Sequence, residues 1–137
     1  MFRHIGIVVQ DLEKQLFFYK DLLGLEVYYN MEEKGDFLEY VLNSKSISAK
    51  IIKLGKDNNT IIELLKFNNK GKEGKKNIID YGYTHIALTI NNLQKLYESL
   101  LSSNISFLSE PKINDMKTHK VCFCKDFENN IIELVEE

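Results

Sequence analysis

The chain has 137 residues, 44% of them hydrophobic and 28% charged, which suits one globular domain, or two small modules sharing a core, and excludes a disordered segment. A net charge of −2 gives no overall basic bias toward nucleic acid, and no apolar run approaches the roughly 20 residues of a membrane span. The opening FRHIGIVV lacks the basic start and long apolar stretch of a secretory leader, so the expected location is the cytoplasm.

Residues 3–10 alternate and are rich in β-branched side chains, which predicts a strand. His4, Gly6 and Val8 then share one face, while Ile5, Ile7 and Val9 share the other, which should pack on helices. Asp11 offers an N-cap. Leu12, Leu16, Tyr19 and Leu23 follow at helical spacing, and Gly24 fits the position just past the helix end. Strands are expected over about 25–33, 47–54 and 60–67. Between the first two, GDFLEYVLNS reads as a short helix capped by Asp36, with Phe37, Leu38, Val41 and Leu42 on one face and Phe37 or Val41 turned toward a pocket. The alternation of Leu38, Tyr40 and Leu42 would alternatively suit a strand.

Residues 68–82, rich in Asn, Gly and Lys, read as a linker between a first module of about 1–67 and a second of about 83–137. The run Lys70, Lys72, Lys75 and Lys76 suits a solvated loop, or a contact for an anionic substrate tail. In the second module a strand is expected over 84–90. Asn92 caps a helix whose apolar stripe is Leu93, Leu96, Tyr97, Leu100 and Leu101. Further strands are expected over 105–109, 118–125 and 130–136. Cys122 and Cys124 sit two apart on one of them, which is not the C-x-x-C spacing of redox or zinc motifs. They read as small buried hydrophobes in a reducing compartment. His119 stands beside Lys117 and Lys120 and reads as a surface residue.

The two modules repeat each other. HIGIVVQDLEK begins at His4 and HIALTINNLQK at His85, 81 residues later. NNTIIELLKF, with Glu63, closes the first half, and NNIIELVEE, with Glu133, closes the second. Each histidine is followed two residues later by a small residue, Gly6 or Ala87, which leaves room for a ligand over the sheet. Each glutamate falls on an otherwise apolar strand face, where a carboxylate needs a partner or a metal. If the four faces converge, His4, Glu63, His85 and Glu133 supply two imidazoles and two carboxylates to one divalent ion, a set that suits Zn, Ni, Co, Mn or Fe. The halves differ by eleven residues, because 59 residues separate His4 from Glu63 but 48 separate His85 from Glu133. The excess lies around GDFLEYVLNS.

On HIGIVVQDLEKQLFFYKDLLGLEV, TIIELLKF, YTHIALTI and KDFENNIIELVE the chain resembles the glyoxalase, bleomycin-resistance and dioxygenase (vicinal oxygen chelate) superfamily. The resemblance spans nearly all of it. It implies an α+β fold of two tandem βαβββ modules, forming a curled mixed β-sheet cup with helices outside, and commonly a homodimer. It also implies a metal held by His4, Glu63, His85 and Glu133. The His-Glu-His-Glu order is most similar to glyoxalase I. That implies a lyase or isomerase of the lactoylglutathione lyase type, acting on a small α-oxygenated carbonyl compound by proton transfer through a metal-stabilised enediolate. Glu133, or Glu63 in a symmetric site, would be the base. The partner is then a small-molecule substrate, without nucleic acid or membrane. Two departures stand out. IGIVV carries no basic residue where glutathione-specific relatives often carry an arginine. Asp126-Phe127-Glu128-Asn129-Asn130 replaces a common Asp-Pro-x-Gly-Asn turn. The alternatives within the superfamily are an enzyme like methylmalonyl-CoA epimerase and a non-catalytic bleomycin-resistance-type binding protein.

Overall fold

The computed structural model describes residues 1–74 and 77–137, and the chain falls into two compact units, Met1–Glu73 and Gly74–Glu137. Lys75 and Lys76 of the basic run lie outside the described residues; Lys70 and Lys72 are exposed.

The first unit is built from β1 (Ile5–Val8), α1 (Leu12–Leu16), β2 (Glu26–Lys34), α2 (Asp36–Val41), β3 (Ser48–Lys56) and β4 (Asn59–Phe67). Its sheet has the order β1-β4-β3-β2, with β1 parallel to β4 and the other pairs antiparallel. The second unit repeats the plan with β5 (His85–Thr89), α3 (Leu93–Ser102), β6 (Lys112–Ile113), β7 (Lys120–Lys125) and β8 (Ile131–Glu136), in the order β5-β8-β7-β6. Both units are βαβββ modules, and the fold is α+β. Among the described residues no helix is long and apolar enough to cross a membrane.

Alternation decides which face is packed. Ile62 and Leu64 of β4, with Ile52 and Leu54 of β3, are buried, and α1 packs on β4. In the second unit Ile132 and Leu134 are buried beside Cys122 and Cys124 of β7, and α3 packs on β8. Burying each such aliphatic side chain contributes about 2 kcal/mol, which suffices to hold a helix on a sheet.

The caps stand where the sequence puts them. The Asp11 carboxylate accepts from the Lys14 N–H at 3.1 Å, and the Asn92 side chain accepts from the Lys95 N–H at 3.0 Å. Glu136 of β8 accepts from the Leu93 N–H, so strand and helix share a polar joint. Gly24 has φ +75°, the left-handed conformation expected just past a helix.

Other expectations need correction. The first helix is α-helical only to Leu16 and widens into a π-helical turn over Phe17–Leu22, closed by Leu23 N–H to Phe18 C=O at 3.0 Å. Of the expected stripe Tyr19 is buried, while Leu12, Leu16 and Leu23 are only partly covered and Gln15 and Phe18 are buried instead. The short helix after Gly35 is present, but Gly35, not Asp36, is its N-cap, and Asp36 is its first residue. Phe37 and Val41 are 69% and 52% exposed, and Leu38 carries the burial, because only one position of so short a helix reaches the sheet. The strand expected over 105–109 shrinks to a single bridge between Phe107 and Cys124, with pairing resumed at Lys112–Ile113. Pro111 lies in the gap and has no N–H with which to extend a ladder.

Candidate metal centre

Each unit brings one histidine and one glutamate together. His4 immediately precedes β1, and Glu63 lies on β4 opposite Gly6 of β1. His4 Nε2 is 3.3 Å from Glu63 Oε2. In the second unit His85 opens β5, Glu133 of β8 lies opposite Ala87, and His85 Nε2 is again 3.3 Å from Glu133 Oε2. The small residue two beyond each histidine therefore stands across from the glutamate in the strand register. At Gly6 a Cβ would approach Leu65 Cδ1 to 3.2 Å. Both glutamates are partly covered, with side-chain exposures of 15% and 23%.

The residues fit half of a metal site in each unit. Two donors about 2.1 Å from one ion, at roughly a right angle, lie about 3 Å apart, close to the separation within each pair. The Thr84 hydroxyl lies 2.8 Å from His85 Nδ1. A proton on Nδ1 given to that hydroxyl leaves the Nε2 lone pair facing Glu133, the orienting contact that metal-ligating histidines need. The Phe123 ring meets His85 edge-on, 5.4 Å away with planes at 88°, and steadies the imidazole. Among the described residues of either unit, no third His, Cys, Asp or Glu joins the pair.

The surroundings of the two glutamates differ. In the first unit Lys53 of β3 is in register with Glu63 and places Nζ 3.3 Å from Oε1. In the second unit the register partner of Glu133 is Phe123. Lys53 escaped the sequence reading because nothing in KIIKLGK marks it; only the strand register brings it to the glutamate.

The inserted helix belongs to this face too. Leu38 packs with Ala49 and Ile51 of β3 and is flanked by Ile47, Leu65 and Phe67. Ile51 and Leu65 are register partners, two residues along from Lys53 and Glu63 and on the same face. The eleven-residue excess thus covers part of the glutamate-bearing side of the first sheet.

Two turns set the glutamate strands. Asp57 and Asn58 both have positive φ, +51° and +63°, which makes the two-residue β3–β4 hairpin turn. Before β8, the Asp126 carboxylate accepts from the Glu128 and Asn130 N–H groups, each at 2.9 Å, and from Asn130 Nδ2 at 2.8 Å. Asn129 adopts φ +64° there, so the departure from Asp-Pro-x-Gly-Asn is met by asparagine, a residue that tolerates this conformation.

The remaining candidates stand apart. Cys122 and Cys124 are register partners of Leu134 and Ile132, on the face opposite Glu133. Burial pushes their thiols up from 9.0, to about 11 at Cys122 and about 12 at Cys124. His119 lies at the surface, its side chain 43% exposed, with Nδ1 2.7 Å from the Thr118 hydroxyl and Nε2 3.8 Å from the Glu137 carboxylate.

The Glyoxalase/Bleomycin resistance protein/Dioxygenase superfamily model matches residues 2–134. The lactoylglutathione lyase of Schizosaccharomyces pombe is 30% identical over 149 residues, covering 98% of this chain and 46% of that protein. The chain therefore spans about half the length of this curated relative. A glyoxalase family protein from Bacillus cereus superposes with a TM-score of 0.89 at 18% identity, covering 99% of this chain and 93% of that one. The trypanothione-dependent glyoxalase I of Leishmania major superposes with a TM-score of 0.66 at 23% identity, covering 98% and 84%. At these identities the two solved structures speak for the fold alone.

Proposed function

The chain belongs to the Glyoxalase/Bleomycin resistance protein/Dioxygenase superfamily, and from that premise we propose that it is a divalent-metal-dependent lyase or isomerase of the lactoylglutathione lyase type. The observation that carries the reading is the recurrence, in both modules, of a histidine Nε2 and a glutamate Oε2 at 3.3 Å. In this reading His4, Glu63, His85 and Glu133 hold one ion, which is Zn, Ni, Co, Mn or Fe. The substrate is a small α-oxygenated carbonyl compound.

The ion, when bound, supplies Lewis-acid stabilisation of the charge that develops on substrate oxygen. The protein supplies the rest. His4 and His85 serve as neutral donors, and Thr84 fixes the ring of His85. Glu133 takes the proton from the carbon beside the carbonyl and returns it to the adjacent carbon. It suits this work better than Glu63, whose Oε1 is engaged by Lys53. The register partner of Glu133 is the apolar Phe123, which offers its carboxylate no ion pair of the kind Lys53 gives Glu63.

The test is solvent exchange at carbon. Metal-loaded protein incubated in D2O with hemithioacetals of 2-oxoaldehydes should introduce deuterium at the carbon that gains the proton. Methylmalonyl-CoA should exchange much more slowly. Exchange confined to methylmalonyl-CoA would replace the proposal with an epimerase, and exchange with neither would leave a binding protein.

A further inference from the structure

Lys53 is the feature of this face that the proposed chemistry does not use. It stands on β3 in the middle of the glutamate-bearing side, with its side chain only 23% exposed. Its ammonium is 3.3 Å from Glu63 Oε1 and 5.9 Å from the centre of the Tyr29 ring, which faces it from β2. We propose that Lys53 is a substrate contact that binds an anionic oxygen, a carboxylate in the first instance, and so restricts the site to negatively charged α-oxygenated carbonyl compounds. The proposal rests on the reading of the two His–Glu pairs as metal ligands.

Three observations carry it. The sheet does not demand a cation here, since the corresponding place beside Glu133 is filled by Phe123. A partly covered ammonium needs a match, and one oxygen of the Glu63 carboxylate supplies it at 3.3 Å. On the metal reading, Glu63 shares its charge with a divalent ion, and the Lys53 ammonium is then free to meet an anionic substrate oxygen. The ammonium also has the means, because it carries three donors and Glu63 occupies one.

The experiment compares mandelate with mandelamide, an α-hydroxy acid and its neutral amide, binding to nickel-loaded protein by calorimetry. The nickel content of each sample is measured separately. Lys53→Met should weaken mandelate about tenfold or more, as loss of a charge-assisted hydrogen bond does, and leave mandelamide within about twofold. Lys53→Arg should keep most of the mandelate affinity. Nickel stoichiometry should be the same in all three proteins, and unchanged circular dichroism should show that the methionine variant is folded. Equal binding of mandelate by wild type and Lys53→Met overturns the proposal. So does equal loss of both compounds without rescue by arginine, or failure of nickel-loaded wild type to bind mandelate. Failure of the wild type to load nickel at all instead removes the metal reading on which the proposal stands.

Discussion

At the residue scale, the informative unit is a pair rather than a motif. A histidine at the head of a strand and a glutamate on its parallel neighbour meet because the register sets Gly6 against Glu63 and Ala87 against Glu133. The proposed role of Glu133 separates from its role as a ligand when the carboxylate becomes an amide. The amide oxygen can still coordinate, but the group cannot take a proton as a carboxylate does. Glu133→Gln should therefore retain metal while losing about a hundredfold or more of turnover. Glu63→Gln should lose less, because Lys53 already engages one of its oxygens. Full turnover by metal-loaded Glu133→Gln would rule that residue out as the base. The cysteines offer a second check. With both thiols buried and held protonated, native protein should resist iodoacetamide at pH 8 and react at two sites once unfolded. Because the folded pKa values lie above the unfolded one, this contribution to stability is complete below about pH 9. It is lost as pH rises toward 11–12.

At the element scale, the sheets are set by close approaches that leave no room for variation. Gly55 sits at an irregularity of the β3–β4 ladder, where an added Cβ would fall 1.8 Å from the Asn59 carbonyl oxygen and 2.8 Å from Tyr28 Cε2. Gly55→Ala should cost about 2 kcal/mol or more, read as a lowered urea midpoint, by forcing the hairpin that aims Glu63 to shift. Gly71→Ala, with nothing within 4 Å, should change stability by less than about 0.5 kcal/mol. Equal midpoints for the two variants would contradict the close approach.

What could be read in advance follows the same logic. Periodicity located β1, β4, β5 and β8, because half-packed strands must alternate, and the caps at Asp11 and Asn92 were legible from local chemistry. The π-helical turn was not, since its extra residue is accommodated by packing Phe18 and Tyr19 rather than by any local signal. Lys53 was invisible for a related reason: its meaning comes from a neighbour ten residues away across a hairpin. The four candidate ligands were found because the repeat shows them twice.

At the scale of the whole molecule, two modules with the same topology carry the same donor pair in unequal surroundings. The first has Lys53 and a covering helix, and the second has Phe123. In the proposed reading, duplication supplies the ligand set, and divergence supplies the means to orient an unsymmetrical substrate. The central claim is that the two pairs serve one ion. Protein purified without a metal-affinity tag, soaked in nickel or zinc and freed of excess, should contain about one ion per chain by elemental analysis. His4→Ala and His85→Ala should each abolish tight binding, although they lie in different modules. Two ions per chain, no ion, or normal binding by both variants would contradict it.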